Sequence, residues 1–366
     1  MTSNKFIILT AGGTGGHVYP AEAVAEELTS RGYDIALVTD KRGKNNYKGT
    51  LGEIKNYAVL GGALVGKSKL FKIQSLIKTG LGVLQSIYLI FKLKPACVVG
   101  FGGYASFPCS FAAIITRTPL IIHEQNSVMS RTNRFLSKYA TLIAQSFRNV
   151  KFTPQGIKTV LTGMPIRKSI AEVRNLSRPK LDSKNKFQLF ILGGSQGAKI
   201  FSDVIPKAIK SFDENIQSKF RIYQQCREVD LKDVTESYKN SKAELFALSF
   251  FNNMPEMYVN SHLIISRAGA SSVSEIAAVG IPSILVPFAA AADDHQTYNA
   301  KELGSMEGSI VISQKNFTVE KAIELLTELL NNPEKLSQMS ENAKKVGITD
   351  AAKRFADAIE KEVNLK

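Results

Sequence analysis

Phe187-Gln188-Leu189-Phe190-Ile191-Leu192 runs straight into Gly193-Gly194-Ser195-Gln196-Gly197-Ala198. A β-rich apolar run ends in a glycine turn, and a helical pattern follows. The head of the chain has the same order. Lys5 to Thr10 is β-rich and leads into Ala11-Gly12-Gly13-Thr14-Gly15-Gly16-His17-Val18-Tyr19-Pro20. A helix follows with Ala23, Val24, Glu27 and Leu28 at helical spacing, stops near Arg31-Gly32, and gives way to a strand over Tyr33–Thr39. This is a βαβ start, and it is made twice. Ala96–Phe101, Pro119–His123 and Leu142–Gln145 continue the first half as strands; Ser261–Ser266 and Ser283–Val286 continue the second. Strands separated by helices imply parallel, doubly wound sheets, so the expected class is α/β with two Rossmann-like halves.

Between the halves, Arg174–Lys186 is polar and contains proline, as exposed connections do. The expected domains are 1–165 and 166–366, with the last helix, about 350–366, a candidate to pack back on the first. A chain of 366 residues suits two domains. Its 44% hydrophobic and 22% charged content exclude a mainly disordered, collagenous or mucin-like protein. Cys97, Cys109 and Cys226 form neither a disulfide framework nor metal-ligand spacing, which fits a reducing cytosol. The first apolar run, Phe6–Leu9, leads into glycines, and no signal peptide is read there.

The net charge of +15 is concentrated. Residues 1–165 carry 20 Lys/Arg against 7 Asp/Glu, whereas 166–366 carry 27 against 25. A one-sided basic field suggests a polyanionic partner: nucleic acid, anionic lipid or a phosphorylated substrate. Within that half, Ile73, Ile77, Leu81, Leu84, Tyr88 and Phe91 form one helical stripe, widened by Phe71, Leu76, Val83, Ile87, Leu89 and Ile90. The longest uncharged stretch, Thr79–Phe91, is shorter than the roughly 20 residues a spanning helix needs. The two readings are a membrane-touching helix and a buried, sheet-covering one.

Three glycine turns follow strands: Gly12–Gly16, Gly100–Tyr104 and Gly193–Gly197. Glycine lets backbone N–H groups approach an anion, and the next helix adds its N-terminal dipole. Three of them, spread over both halves, point to a site handling two anionic groups. None is a Walker A loop, and the first lacks the end of a dinucleotide fingerprint. Asp40 is a poor ribose-binding acid, which disfavours a nicotinamide oxidoreductase. Of the four histidines, His17 sits at the mouth of the first loop and His123 at a strand end; His262 and His295 complete the set, with no metal-type pair. Arg267–Glu275 opens a helix after a strand, its small residues suited to phosphate and Glu275 to paired sugar hydroxyls. Asp293-Asp294 reads as solvated loop.

Together, Gly12–Pro20, Gly100–Ser106, His123-Glu124-Gln125-Asn126, Gly163-Met164-Pro165-Ile166-Arg167, Gly193–Ala198, Arg267–Glu275 and His295-Gln296-Thr297-Tyr298-Asn299 resemble the MurG family of bacterial peptidoglycan glycosyltransferases. The resemblance covers nearly the whole chain. It implies a GT-B fold, two Rossmann-like domains facing a central cleft. It implies inverting transfer of N-acetylglucosamine from UDP-GlcNAc to the C4 hydroxyl of the N-acetylmuramoyl sugar of lipid I, giving lipid II, with no cofactor and no metal. Carried over, His17 is the general base. Arg167 and Ser195 hold the diphosphate, with Gln196 and Ala270, Ser271 and Ser272 beside it. Phe251 meets uracil, with Met254 close by. Glu275 binds ribose hydroxyls, and Gln296 and Asn299 the GlcNAc hydroxyls. Thr14, Gly15, Gly16 and Asn126 also count among the residues bringing UDP-GlcNAc into place. Gly13, Gly102, Gly103 and Tyr104 bind the acceptor, whose lipid diphosphate lies against the first two glycine loops and Thr14, near Asn126. The implied partners are UDP-GlcNAc, lipid I, the anionic cytoplasmic face of the inner membrane (as a peripheral protein) and other cell-wall synthesis proteins. Two positions depart from the family pattern: His295 stands where Gln is common, and Ala289–Ala292 bring no hydrogen bonds to the sugar site. A UDP-GlcNAc 2-epimerase would need no lipid acceptor, so the widened stripe argues against it. A nucleic-acid binder would need a recognition helix or an aromatic platform, and neither is evident.

Overall fold

A computed structural model describes residues 5–12, 15–40, 49–62, 69–179, 185–194 and 197–364. The chain forms two compact units, residues 1–167 with 350–366, and residues 168–349. The first holds a seven-stranded, all-parallel sheet: β1 (Phe6–Thr10), β2 (Asp34–Thr39), β3 (Lys55–Ala58), β4 (Cys97–Gly100), β5 (Leu120–Glu124), β6 (Leu142–Gln145) and β7 (Thr159–Leu161). Their order is β3-β2-β1-β4-β5-β6-β7. Helices cover both faces, so Ile7, Leu9 and Val99 bury on one side and Ile8, Val98 and Ile122 on the other. Near-continuous apolar strands are what a sheet buried on both faces requires. The last helix, Ala351–Asn364, belongs to this unit and puts Phe355, Ala356 and Ile359 into its core. Arg31 ties it down through Asp357 and Glu360, each at 2.7 Å, while Glu27 on its own helix holds the guanidinium in place at 2.7 Å.

The second unit repeats the plan with six parallel strands: β8 (Phe187–Leu192), β9 (Phe220–Gln225), β10 (Glu244–Leu248), β11 (Leu263–Ser266), β12 (Ser283–Leu285) and β13 (Ser309–Val311). The order is β10-β9-β8-β11-β12-β13. The helices Lys199–Lys210 and Val319–Leu330 cover one face, with Phe201, Ile205, Leu326 and Leu329 fully buried. In both sheets the order reverses beside the first strand of the unit, at β1/β4 and β8/β11, where α/β folds place their ligands.

The apolar helix runs over Lys69–Leu93, about 37 Å long. Its stripe points away from the unit. Ile73, Leu76, Ile77, Leu84, Tyr88 and Phe91 are each more than half exposed. The inward face begins with small groups, Ser75, Thr79, Gly82 and Ser86, and ends with Leu89 and Ile90 in the core; the hydroxyls of Thr79 and Ser86 donate back to the carbonyls of Ser75 and Gly82. Phe71–Leu93 has a mean hydropathy of 1.4 and, contrary to the expectation from its uncharged stretch, is long and apolar enough to cross a bilayer by length and composition, but its inner face packs on Leu60 and the helix Phe107–Ile115. The approach is closest at Gly82, where a Cβ would lie 1.8 Å from the Leu60 carbonyl oxygen. Gly82→Ala is expected to lower stability by about 1–3 kcal/mol through overpacking, whereas Gly80→Ala, whose Cβ position is open, should raise it by about 0.5–1 kcal/mol through helix propensity. Denaturant titration of the two variants checks this.

Candidate active site

His17 lies in the first turn of the helix Gly15–Ser30, which starts earlier than the sequence pattern suggested and encloses Pro20. Nδ1 of His17 is 2.7 Å from the Phe101 carbonyl oxygen. A carbonyl only accepts, so Nδ1 carries the proton and Nε2 presents a lone pair. The ring sits in a cup of glycines. Cβ atoms built at Gly12, Gly102 and Gly103 would lie 3.6, 3.6 and 3.3 Å from it. Gly102 and Gly103 have φ of +77° and +80°, a conformation that favours glycine, so larger residues are doubly opposed there. Burial lowers the His17 pKa, partly offset by the bond to Phe101, which keeps the imidazole neutral below the usual histidine range. Gln125 Nε2 donates to the same Phe101 oxygen at 2.5 Å.

Behind the cup, β5 ends in His123 and Glu124, both fully buried. Glu124 accepts from the Asn126 N–H (2.9 Å), the Ser130 N–H (3.1 Å) and Asn133 Nδ2 (2.8 Å). It thereby fixes the turn that carries Gln125 and Asn126. His123 meets Ser146 Oγ at 3.1 Å and stacks on Phe355. Burial pushes its pKa down to about 3. The folded state therefore binds fewer protons here than the unfolded chain once pH drops below about 6.5. Stability is expected to fall as pH goes from about 6.5 towards 3, and His123→Gln should flatten that slope in urea midpoints measured against pH. Tyr104 is exposed at the edge of the second glycine loop. Arg167, at the end of the first segment of this unit, lies 4.6 Å over the Tyr19 ring, two residues along the helix from His17. Gly15 and Gly16 begin that helix; Gly13 and Thr14 lie outside the described residues.

In the second unit the loop after β11 leads into the helix Ala270–Val279 through Gly269. Ala270, Ser271 and Ser272 form its first turn, where backbone N–H groups point outward. Ala268, two residues before the helix, is gripped from two sides: Gln296 Oε1 accepts from the Ala268 N–H (3.2 Å) and the Phe288 N–H (2.9 Å), and Asn299 Nδ2 donates to the Ala268 carbonyl (3.1 Å). Asn299 is fully buried, so its amide holds the loop. Arg267, between Phe201 and Phe288, donates to the carbonyls of Val286 and Pro287, joining the loops after β11 and β12. Glu275, 7% exposed, accepts from the Tyr258 hydroxyl at 2.7 Å. Phe251 and Met254 are buried at the start of the helix Met254–Asn260, beyond the end of β10. Ser195 and Gln196 lie outside the described residues. Asp293 and Asp294 are exposed, both with left-handed φ, and His295 Nδ1 meets the Ala292 carbonyl at 2.8 Å. A cavity of about 700 Å³, lined by Arg174, Arg178, His262, Leu336, Ser340 and Lys344, opens at the opposite, amino ends of β11 and β12. Its arginines are engaged with carbonyls of Ala278, Val279 and Lys344, so it is a strapped linker rather than part of this site. Among the described residues, no group of three or more His, Cys, Asp or Glu is placed to hold a metal ion.

The sequence singles out His17, Glu275 and Gln296; it shows Glu124 and Gln125 only as members of the motif after β5, with no role, and gives no sign of Tyr258. Each of these last three acts on a residue close in space through a contact that residue spacing does not reveal.

Residues 7–145 match the glycosyltransferase family 28 N-terminal domain and residues 188–355 the family 28 C-terminal domain. The chain is 42% identical, over 98% of its length and 97% of the relative's, to the UDP-N-acetylglucosamine–N-acetylmuramyl-(pentapeptide) pyrophosphoryl-undecaprenol N-acetylglucosamine transferase of Paramagnetospirillum magneticum. It is 38% identical to the transferase of the same name from Rhodopseudomonas palustris, over the whole of both chains. Among solved structures it is similar to MurG of Acinetobacter baumannii, with a TM-score of 0.78 and 28% identity over 97% of this chain and 99% of that one. It shares its fold with a UDP-GlcNAc 2-epimerase from Neisseria meningitidis, at a TM-score of 0.68 and 15% identity over 97% of this chain and the whole of that one.

Proposed function

The chain belongs to glycosyltransferase family 28, among the enzymes that pass N-acetylglucosamine from UDP-GlcNAc to N-acetylmuramyl-(pentapeptide) pyrophosphoryl-undecaprenol to form lipid II, and we propose that it does so by inversion with His17 as general base. The observation that carries this is the His17 Nδ1 bond to Phe101, which leaves a neutral imidazole with its lone pair on Nε2. In the proposed reaction, Nε2 takes the proton of the muramoyl C4 hydroxyl as that oxygen attacks the anomeric carbon. The bond to the UDP oxygen breaks on the opposite side, which inverts the centre.

The second unit takes the donor. The N-terminus at Ala270–Ser272 and the loop of Ser195 and Gln196 balance the charge that develops on the leaving diphosphate. Glu275 takes the ribose hydroxyls, Phe251 and Met254 flank uracil, and Gln296 faces the GlcNAc. Asn299 contributes by holding Ala268. The first unit takes the acceptor on the loops of Gly12–Gly16 and Gly102–Tyr104, with Asn126 beside them. Labelled UDP-GlcNAc and a lipid I analogue test the reading. Label appearing in lipid supports it, and UDP release without lipid label rejects it.

The outward stripe of the helix Lys69–Leu93, set in a unit rich in Lys and Arg, supports docking on an anionic membrane surface as a peripheral protein on the cytoplasmic face. Other cell-wall enzymes would meet the chain there. Leu84→Glu with Tyr88→Glu is expected to cut co-sedimentation with anionic liposomes at least about tenfold, since each removes apolar contact and adds like charge, with kcat on a short-chain soluble acceptor unchanged. Liposome binding that survives both substitutions argues against the stripe.

A further inference from the structure

Tyr258 is fully buried on the helix Met254–Asn260, and its hydroxyl donates to Glu275 Oε2 at 2.7 Å. Glu275 lies on the second turn of the helix Ala270–Val279. The Tyr258 ring is edge-on to Phe190 of β8, with centroids 6.3 Å apart, and Phe190 is edge-on to Phe251 at 5.4 Å. One buried chain of contacts therefore joins Phe251, beside the proposed uracil site, to Glu275, at the proposed ribose site. A glutamate has three rotatable side-chain bonds, and a carboxylate that meets two neighbouring hydroxyls needs its plane fixed. A short hydrogen bond from a rigid, packed phenol supplies that constraint, and it is set before any ligand arrives.

We propose that Tyr258 is the positioning residue for ribose recognition: it orients Glu275 so that the site selects a ribonucleoside diphosphate sugar over its 2′-deoxy counterpart. Tyr258 touches neither the sugar nor the phosphates and acts through Glu275. The proposal rests on the assignment of Glu275 to the ribose hydroxyls. Tyr258→Phe removes one oxygen and keeps the ring against Phe190, so it takes the hydrogen bond from Glu275 and leaves the aromatic packing in place.

The test is steady-state transfer with UDP-GlcNAc and with its 2′-deoxyuridine analogue, using wild type, Tyr258→Phe, Glu275→Gln and the double variant, with melting curves to monitor the fold. Tyr258→Phe is expected to raise KM for UDP-GlcNAc about tenfold, the scale of one hydrogen bond to a charged group, with kcat within about twofold. KM for the deoxy donor should change little, so discrimination shrinks. In the Glu275→Gln background the Tyr258→Phe effect should vanish. If Glu275→Gln loses discrimination while Tyr258→Phe keeps it, the role of Tyr258 is overturned and the ribose assignment stands. If Glu275→Gln keeps discrimination, the ribose assignment itself fails. A Tyr258→Phe effect that is equal for both donors, or equal in both backgrounds, reports lost packing and also overturns the proposal.

Discussion

His17→Ala is expected to lower kcat by about two to four orders of magnitude, the usual contribution of a positioned base, with KM for UDP-GlcNAc near its wild-type value. The two parts of that expectation have separate origins. The ring belongs to the first unit and its Nδ1 is committed to Phe101, so removing it takes a proton acceptor from the acceptor side and nothing from the donor loops. A residual rate should survive, because charge stabilisation at the diphosphate is untouched. The pH profile adds an independent check. Protonating Nε2 removes the base, so activity must fall on the acid side as pH drops through the His17 pKa. Burial lowers that pKa, which places the acid limb below about 6.5, the ordinary histidine value. Any limb that remains in His17→Ala belongs to another group. Near-wild-type kcat in that variant would sink the base assignment, and an acid limb above the ordinary histidine range would contradict the burial argument.

The bond to Phe101 also marks the boundary of what could be read from the sequence. The glycine turns after β1 and β4 were legible because each is a cluster of glycines directly following an apolar run, and Gly102 and Gly103 in the second do adopt positive φ. That they meet around one imidazole was not, since His17 and Phe101 are 84 residues apart. The strands legible in advance, such as β6 and β8, are mostly apolar runs, buried on both faces along nearly all their length. Those that escaped are nearer the edges: β3 and β7 are short and only partly buried, and β10 carries Glu244 at its start. β9 escaped because Arg221, Tyr223, Gln224 and Gln225 break its apolar run. The helix Lys69–Leu93 is the sharpest case. Periodicity identified the residues that share a face, and it gave no direction to that face. The direction comes from Gly82 and the buried Ser75, Thr79 and Ser86, small groups that allow close approach to Leu60, and from Leu89 and Ile90, which enter the core near the helix end while Ile73, Ile77, Leu84, Tyr88 and Phe91 stay outside. In the second unit Gln296 and Asn299 were legible as polar residues after a strand. Their shared grip on Ala268 was not, because it depends on a loop of a neighbouring strand folding back between them.

Glu124 carries the second large expected effect, and Ala and Gln substitutions should separate its two jobs. Its carboxylate is fully buried and accepts from the N–H groups of Asn126 and Ser130 and from Asn133 Nδ2. Glu124→Ala strands three donors and leaves a gap, at a cost of about 3 kcal/mol or more, since each unmet buried donor costs about 1–3 kcal/mol. That loss should appear as a lower denaturation midpoint of the first unit. Glu124→Gln keeps the shape but has one acceptor oxygen and one donor NH2. If its oxygen takes the place of Oε2, it satisfies Ser130 and Asn133, and its NH2 then faces the Asn126 N–H, donor against donor. The reverse orientation opposes two donors instead of one, so the first is favoured. Stability should then fall by only about 1–2 kcal/mol while the Asn126 turn is pushed out of place. Because Asn126 stands at the proposed acceptor loops, KM for the lipid acceptor should rise about tenfold or more in Glu124→Gln, with KM for UDP-GlcNAc little changed. Equal increases in both KM values would mean that Glu124 supports the unit as a whole, and an unchanged acceptor KM in a folded Gln variant would remove the Asn126 turn from the acceptor site.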